Sequence, residues 1–425
     1  MRPLVLRAAR LFDGNDCIEQ ATVVGEGGRI TAVAQDGVGI PADADVVDFG
    51  DATLLPGLID THVHLGFDAS LDPVGRLLAD DDGALLLRMR LAAQQSLMAG
   101  VTTVRDLGDR SYLALALRDW FRGGDEIGPE ILSSGPPITV TGGHCHFLGG
   151  QADNEEELRR GVRVRATRGV DVIKVMVTGG NMTAGIDPFT PQYTVAELAG
   201  VVDEAHRFHR AVTAHVHGVE GIARAVEAGV DGLEHCGFWV RDGVRADQSL
   251  IDRIAEREIW VCPTAGIAPG SPPPPPAVAS RMPMIEDAVA QAHRSGVRLL
   301  AGTDAGVAPA KPHGGTANAV QHLVDKSGLR PIEALKAASS SAAEACGLAG
   351  QKGVLAPGAD ADILVVRGDA LRDVSRLKDV LAVFRAGTPV AGAGRPQEVV
   401  ASMAASNRGI DRSTISSVAV SEMRK

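Results

Sequence analysis

The pattern of apolar and polar residues changes twice along the chain, and the two changes mark the predicted architecture. Near both ends, short apolar stretches such as RITAVA and ADILVVRGD are punctuated by glycine, and RITAVA alternates with a period of two. This pattern is typical of β-strands joined by tight turns. From about residue 57 to 350, apolar runs of strand length alternate with helical patterns. One of these, NEEELRRGVRVRATRG, opens with an asparagine cap and closes on glycine.

The central region contains strand-like runs at GLIDTHVHL, VTTVRDLG, EILSSG, VDVIKVMV, AVTAHVHG, DGLEHCGF, IWVCPT and VRLLAGTDAG. Eight strands alternating with helices predict an α/β fold, a (β/α)8 TIM barrel. A doubly wound open sheet is the alternative, but no GxGxxG fingerprint follows the first strand. We therefore predict the barrel at 57–352, a small β-sandwich built from both chain ends at 1–56 and 353–400, and a C-terminal tail at 401–425. The SPPPPP stretch predicts an irregular loop after the seventh strand.

Charge and cysteine content narrow the class of protein. The formal charge is −11 and no basic cluster stands out, so we expect neither a nucleic-acid nor a membrane partner. The five cysteines are scattered and form no CxxC pair, which favours a reducing compartment over a disulfide framework. No apolar stretch approaches the roughly 18 residues of a membrane span, and the N-terminus lacks a signal-peptide core. We predict a cytoplasmic protein.

Side chains able to bind a metal fall in the predicted strands or at their C-terminal ends: His62, His64, Lys174, His215, His235 and Asp304. These ends form the active-site face of a barrel. His62 and His64 are two residues apart, so in a strand both imidazoles point to the same side and suit zinc or a similar ion. An HxH pair alone also fits hydrogen-bonded packing residues. The further histidines and the aspartate at other strand ends favour the metal interpretation.

Lys174 lies inside the apolar, β-branched run VDVIKVMV, which is typical of a strand buried on both faces. Burying an unpaired ammonium group is costly. The residues alone leave open an ion pair with a buried carboxylate or a Schiff base with a cofactor.

The chain resembles the amidohydrolase superfamily of metal-dependent hydrolases in LLPGLIDTHVHL, GVTTVRDLG, IKVMVTGG, VTAHVHG, LEHC, LLAGTDAG and KGVLAPGADADILVV. It is most similar to the branch that contains imidazolonepropionase-like proteins and Xaa-Pro dipeptidases, or prolidases. This resemblance implies that Lys174 reacts with CO2 to give a carbamate that bridges two divalent metal ions. It also implies that His62, His64 and Asp304 hold the more buried ion, and that His215 and His235 hold the more exposed one. Zinc is the expected metal, with manganese, iron and cobalt as alternatives.

The resemblance also implies catalytic roles. A hydroxide shared by the two ions is the nucleophile, and Asp304 passes its proton to the leaving amine. His144 hydrogen-bonds the substrate carbonyl, and Tyr193 helps to bind the substrate carboxylate. His313 lies just after Asp304 on a loop that should overhang the pocket, and from that position it is also expected to contact the substrate. His217 is expected beside the metal ligands rather than among them. A homo-oligomer is expected by analogy with the family.

We therefore predict a binuclear hydrolase that cleaves the C–N amide bond of a small N-acyl amino acid or dipeptide, as an Xaa-Pro dipeptidase does. One alternative is an amidase for another small molecule, such as a carbamate or a urea. A second is a mononuclear imidazolonepropionase or deaminase, which would not need Lys174. A third, of a different class, is a metal-free barrel that serves as a scaffold.

Overall fold

The computed structural model describes residues 2–35, 41–124 and 126–390, which form a mixed α/β fold. The strands are β1 (Leu4–Phe12), β2 (Cys17–Glu26), β3 (Arg29–Gln35), β4 (Asp45–Asp48), β5 (Ala52–Pro56), β6 (Leu58–Val63), β7 (Val101–Asp106), β8 (Glu130–Ser133), β9 (Val172–Met176), β10 (Ala211–Gly218), β11 (Gly232–Val240), β12 (Gly243–Val244), β13 (Trp260–Cys262), β14 (Ile363–Arg367), β15 (Val380–Arg385) and β16 (Thr388–Pro389).

The helices lie mainly between the central strands, as the alternating pattern predicts. They are α1 (Pro73–Ala79), α2 (Asp82–Met98), α3 (Leu113–Gly123), α4 (Glu155–Arg168), α5 (Val195–Arg207), α6 (Val219–Ala228), α7 (Gln248–Glu256), α8 (Pro276–Ala279), α9 (Met282–Arg294), α10 (Thr316–Asp325), α11 (Pro331–Ala337) and α12 (Ser340–Ala345). The predicted ends of α4 are confirmed: Asn154 accepts a hydrogen bond from the Glu157 N–H, and Gly169 ends the helix with φ 82°. Within the described ranges, no helix is long and apolar enough to cross a membrane.

The central strands form two parallel sheets whose edges approach each other. One sheet has the order β6-β7-β8, and the other contains β9, β10, β11 and β13, with β12 antiparallel at its edge. Single parallel bridges continue the pairing from Ile138 to Val175 and from Val261 to Leu299. A third bridge, between Val63 and Ala305, returns to β6. The C-terminal ends of the parallel strands therefore lie on one side of the molecule.

The eighth predicted strand, VRLLAGTDAG, forms only isolated bridges. Its pairing with β6 is irregular because the buried Asp60 carboxylate accepts hydrogen bonds from the Thr303 N–H at 3.0 Å and from its hydroxyl at 2.8 Å. Asp304 then has φ 60°, outside the β region. The segment remains tied to β6, since the Asp304 N–H donates to the His62 carbonyl oxygen at 2.7 Å.

Both ends of the chain meet in one mixed sheet, with the order β16-β15-β14-β5-β1-β2-β3 and β4 beside β1. β5 lies between β1 and β14, and the sheet has its own apolar core that includes Leu11, Leu54 and Phe384. The two-layered sandwich remains a prediction. Of the predicted C-terminal part, residues 391–400 lie outside the described residues, as does the predicted tail at 401–425.

Candidate metal centre

One cavity of about 900 Å³ brings the predicted metal ligands together at the C-terminal ends of the parallel strands. His62 lies in β6, and His64 directly follows the end of that strand. Lys174 lies in β9, His215 in β10 and His235 in β11. The residues that line the cavity include His62, His64, Lys174, His215, His235 and Asp304. The structure therefore places all six predicted ligands around one space.

Three electron-pair donors converge at the inner end of this cavity. The His62 Nε2 and His64 Nε2 atoms are 3.3 Å apart, and each is 3.3 Å from Asp304 Oδ1. Ligands held about 2.0–2.1 Å from a tetrahedral ion lie roughly 3.3 Å from one another. The spacing of these atoms therefore fits a shared metal ion.

Hydrogen bonds on the far side of each ring define the tautomers of these two histidines. His64 Nδ1 lies 3.2 Å from the Gly108 carbonyl oxygen, which can only accept, so this nitrogen carries the proton. His62 Nδ1 lies 2.7 Å from Glu234 Oε2 and donates to that carboxylate. In the neutral rings, both Nε2 atoms thus present lone pairs towards Asp304. Two imidazole nitrogens and a carboxylate oxygen that converge at this spacing suit a cation between them.

Glu234 is a central residue of the site that the sequence did not reveal. It is 1% exposed, and besides His62 it accepts hydrogen bonds from Arg105 Nη2 at 3.1 Å and from Thr213 Oγ1 at 2.6 Å. Burial alone would raise the pKa of Glu234, but the contact with His62 and then Arg105 hold that pKa below its ordinary range. Glu234 is therefore a buried carboxylate that fixes the orientation of His62.

A second group of imidazoles lies beside the first. The ring nitrogens of His215, His217 and His235 approach within 4.8 Å of one another. His215 Nε2 donates to the Gly179 carbonyl oxygen at 3.1 Å, which leaves the lone pair on Nδ1. His217 stacks on Trp239 with ring centroids 4.4 Å apart. The structure therefore places His217 in one group with His215 and His235, where its ring could also hold a metal ion.

Lys174 lines the same cavity as both groups and is 1% exposed. Among the described residues its Nζ has no hydrogen-bond partner, and no carboxylate lies within salt-bridge distance of it. Burial lowers the pKa of Lys174 from its ordinary value. A simple ion pair, one of the readings that the sequence left open, is therefore absent from the described structure.

Backbone strain concentrates at the same place. Asp304 has φ 60° and His235 has φ 65°, although neither is a glycine. A non-glycine residue in this left-handed backbone conformation costs of order 1–3 kcal/mol, and such residues tend to cluster at functional sites. Gly180 is also constrained, since an added Cβ would lie 2.5 Å from His144 Nε2 and 2.8 Å from His215 Nε2. Substitutions at these backbone positions would therefore shift the side chains of the centre.

His144 lines the cavity as expected of a substrate contact. Its ring centroid is 4.5 Å from that of His215, and its Nδ1 atom has no hydrogen-bond partner among the described residues. Burial, followed by the neighbouring His217, lowers the pKa of His144 to about 3. The ring is therefore neutral at physiological pH and has a nitrogen free to interact with a ligand.

The other two predicted substrate contacts do not line the cavity. Tyr193 is 2% exposed in the apolar core, and its hydroxyl donates to the Ala152 carbonyl oxygen at 2.8 Å. His313 Nε2 lies 2.9 Å from the Phe67 carbonyl oxygen, to which it donates. The Tyr193 hydroxyl is engaged with the backbone, so its placement does not fit the predicted substrate contact. His313 keeps a buried Nδ1 atom without a partner among the described residues, and its predicted role stays a prediction.

Much of the wall of the cavity is apolar. Phe67, Met182 and Trp239 contribute to it, together with prolines at 272–276. The stretch predicted to be irregular at 271–276 is irregular over 271–275, because proline lacks an N–H for regular pairing, but Pro276 begins α8. Proline is tolerated at the first position of a helix. Lys311 also lines the cavity, in the loop that follows Asp304.

Comparison with known proteins places these features in a family. The profile of the amidohydrolase family matches residues 53–390. The ochratoxinase of Aspergillus niger is 30% identical over 367 residues, which covers 78% of this chain and 73% of that protein. Its crystal structure covers 91% of this chain and 95% of its own, with a TM-score of 0.77 and 27% identity.

Two further crystal structures are similar over almost their whole length. A Xaa-Pro dipeptidase with methionine bound in its active site has a TM-score of 0.82 at 30% identity, covering 92% of this chain and 100% of that chain. A prolidase in complex with N-methylphosphonate-L-proline has a TM-score of 0.78 at 28% identity, covering 91% and 99% respectively.

Proposed function

Because the chain belongs to the amidohydrolase family, we propose that it is a binuclear enzyme that cleaves the C–N bond of a small N-acyl amino acid or dipeptide. The family and its hydrolase members support the coarser statement directly: the protein is a metal-dependent hydrolase of C–N bonds. The number of ions and the class of amide are the proposed part. We also propose that the two parallel sheets and residues 299–305 form a (β/α)8 barrel, with the terminal sheet as a separate small domain.

The buried, unpartnered Lys174 carries the proposal of two ions. A free amine attacks CO2 and loses a proton to give a carbamate, so the positive charge is replaced by a negative one. The lowered pKa of Lys174 favours the free amine that this reaction needs. The resulting carboxylate-like group on Lys174 would join the histidines and Asp304 in holding the metal ions. It would also remove the cost of an isolated buried ammonium group.

The remaining side chains divide into two ligand sets. His62, His64 and Asp304 would hold one ion, in agreement with their mutual 3.3 Å spacing. His215 and His235 would hold the other. When bound, divalent ions supply an activated water molecule at neutral pH and polarise the scissile carbonyl group.

Two side chains of the protein would assist the reaction directly: Asp304 by transferring a proton, and His144 by donating a hydrogen bond. Burial opposes ionisation of Asp304, but His62 and then His64 hold its pKa below the ordinary range, so it is a carboxylate able to accept a proton. It would pass that proton to the leaving nitrogen. The neutral His144 ring would donate a hydrogen bond to the carbonyl oxygen as negative charge develops there.

The substrate class rests on the similar proteins together with the cavity. The similar proteins include a Xaa-Pro dipeptidase, a prolidase and an ochratoxinase. The cavity of about 900 Å³ leaves ample room for a dipeptide or an N-acyl amino acid. Screening zinc-loaded protein against N-acyl amino acids and Xaa-Pro dipeptides tests this part.

The Lys174→Ala variant tests the two-ion site. We expect the parent protein to bind two metal ions per chain and the variant to lose both metal and activity, with partial recovery on addition of a short carboxylic acid that can occupy the vacated position. Lys378→Ala removes an exposed lysine that does not line the cavity, and it is the matched control. A Lys174→Ala enzyme with two ions and full activity would overturn the bridging role.

A further inference from the structure

Lys311 is a positively charged residue of the cavity that neither the ligand sets nor the proposed proton transfers use. It lies in the loop after Asp304, is half-buried, and lines the same space as the histidines. Its Nζ donates hydrogen bonds to the Thr264 carbonyl oxygen and, at 2.9 Å, to the Thr303 carbonyl oxygen. These bonds hold the ammonium group beside the residue that precedes Asp304.

The ammonium group retains one donor for a ligand. A lysine ammonium has three N–H groups, and the two carbonyl oxygens account for two of them. Within the described part of the chain, no other acceptor and no carboxylate pairs with Lys311 Nζ. The nearby Asp304 carboxylate is instead in contact with His62 and His64. A cation that faces a cavity, keeps one donor and has no carboxylate in direct contact among the described residues is well suited to an anionic ligand.

We propose that Lys311 binds the carboxylate of the substrate and makes the enzyme selective for amides that carry a free carboxylate beside the scissile bond. This inference rests on the proposed function, since it names the group that recognises the amino-acid half of the substrate. Lys311 takes the role that the sequence assigned to Tyr193, whose hydroxyl is engaged with Ala152 in the core. The two backbone bonds would fix the ammonium group, so little side-chain entropy is lost when the carboxylate binds.

The apolar wall indicates which acyl group should accompany that carboxylate. Met182, Trp239 and the prolines at 272–276 line the cavity. An aromatic acyl group would bury apolar surface against them. N-benzoyl-leucine and N-benzoyl-leucinamide are therefore a suitable substrate pair, since they differ only in whether the carboxylate is present.

The test compares the parent protein, Lys311→Met and Lys311→Arg on this pair. We expect the parent to prefer the acid, and Lys311→Met to raise KM for the acid by at least about tenfold while kcat/KM for the amide stays within about twofold. Lys311→Arg, which keeps the charge and the donors to both carbonyl groups, should retain most of the preference. Lys378→Met removes the same charge from an exposed position and should leave the kinetic constants for both substrates unchanged. An equal loss on acid and amide in Lys311→Met would overturn the proposal and indicate a purely structural clamp.

A binding measurement separates this proposal from the proposed function. Sulfonamides resist hydrolysis, so calorimetric titration with N-benzenesulfonyl-leucine and its carboxamide reports recognition even if no amide is cleaved. We expect the metal-loaded parent to bind the acid at least about tenfold more tightly than the carboxamide, and Lys311→Met to lose that difference. Equal binding of the two compounds by the parent would overturn the role of Lys311. Cleavage of amides without an acid preference would leave the proposed function standing and refute only this inference.

Discussion

His62 Nδ1 donates a hydrogen bond of 2.7 Å to Glu234 Oε2, and both side chains are 1% exposed. This contact fixes the His62 tautomer, so that Nε2 presents its lone pair to the cavity. Because outer hydrogen bonds of this kind raise the basicity of a ligating imidazole, we expect Glu234→Gln to weaken metal binding about 10–100-fold. Chelator competition followed by metal analysis measures the change. Glu227→Gln on the exposed face of α6 is the control, and unaltered affinity in Glu234→Gln would contradict the orienting role.

Tyr193→Phe tests where the tyrosine acts. Removing the hydroxyl leaves the Ala152 carbonyl oxygen without its 2.8 Å donor, so we expect the free energy of unfolding to fall by about 1 kcal/mol. Denaturant unfolding measures that loss, and kinetics on a cleaved amide should show an unchanged KM. A marked rise in KM with normal stability would instead place the hydroxyl at the substrate.

Lowering the pH should destabilise the metal-free protein already near pH 6.5, well above the pH range in which carboxylates become protonated. Burial lowers the pKa of both His62 and His217 to about 4, from an ordinary value of 6.5. Below pH 6.5, the ordinary pKa of histidine, the unfolded chain therefore binds more protons than the folded chain. The free energy of unfolding then decreases as the pH is lowered, until the histidines of the folded chain also become protonated. We expect a loss of several kcal/mol between about pH 6.5 and 4. Urea unfolding of chelator-treated protein across that range checks the sign, and a flat profile would refute it.

The terminal sheet contains a buried ionic group with its own measurable effect. Asp362 accepts hydrogen bonds from Lys352 Nζ at 2.8 Å and from Arg385 Nη1 at 3.0 Å. Asp362→Asn removes the carboxylate that the two cations share, while Lys352 keeps Asp360 at 2.6 Å and Arg385 keeps Glu130 at 2.9 Å. We therefore expect a loss of about 2 kcal/mol in unfolding free energy. Asp379→Asn, in an exposed pair with Arg376 at 3.5 Å, should cost less than about 1 kcal/mol. Equal effects of the two substitutions would argue against a stabilising role for the buried group.

Much of the candidate centre could be predicted because it follows strand geometry. His62 and His64 share one face of β6 by simple alternation, and the ends of parallel strands meet on one side of the molecule. Glu234 escaped the same reasoning, since it directly precedes His235 and strict alternation would send adjacent side chains to opposite faces. The left-handed conformation of His235, at φ 65°, breaks that alternation. No local pattern in the sequence indicates where such a break occurs.

Loop residues were harder to place for a related reason. Tyr193 and Lys311 lie outside any periodic run, and their positions depend on carbonyl groups distant along the chain, at Ala152 and Thr264 respectively. Those contacts exist only after the central strands have assembled. The eighth strand also departs from its predicted regularity because the Asp60 carboxylate takes the place of a backbone acceptor for Thr303.

The pairing of β5 with both β1 and β14 has a consequence for biosynthesis. Leu55 pairs with Leu364, so one edge of β5 waits for a partner about 300 residues away. A ribosome adding 5–20 residues per second needs roughly 15–60 s to deliver that partner. An unpaired strand edge is a template for wrong pairing throughout that interval. Newly made chains should therefore depend most on chaperones before β14 emerges, and truncation ahead of Ile363 should yield aggregates rather than a smaller soluble protein.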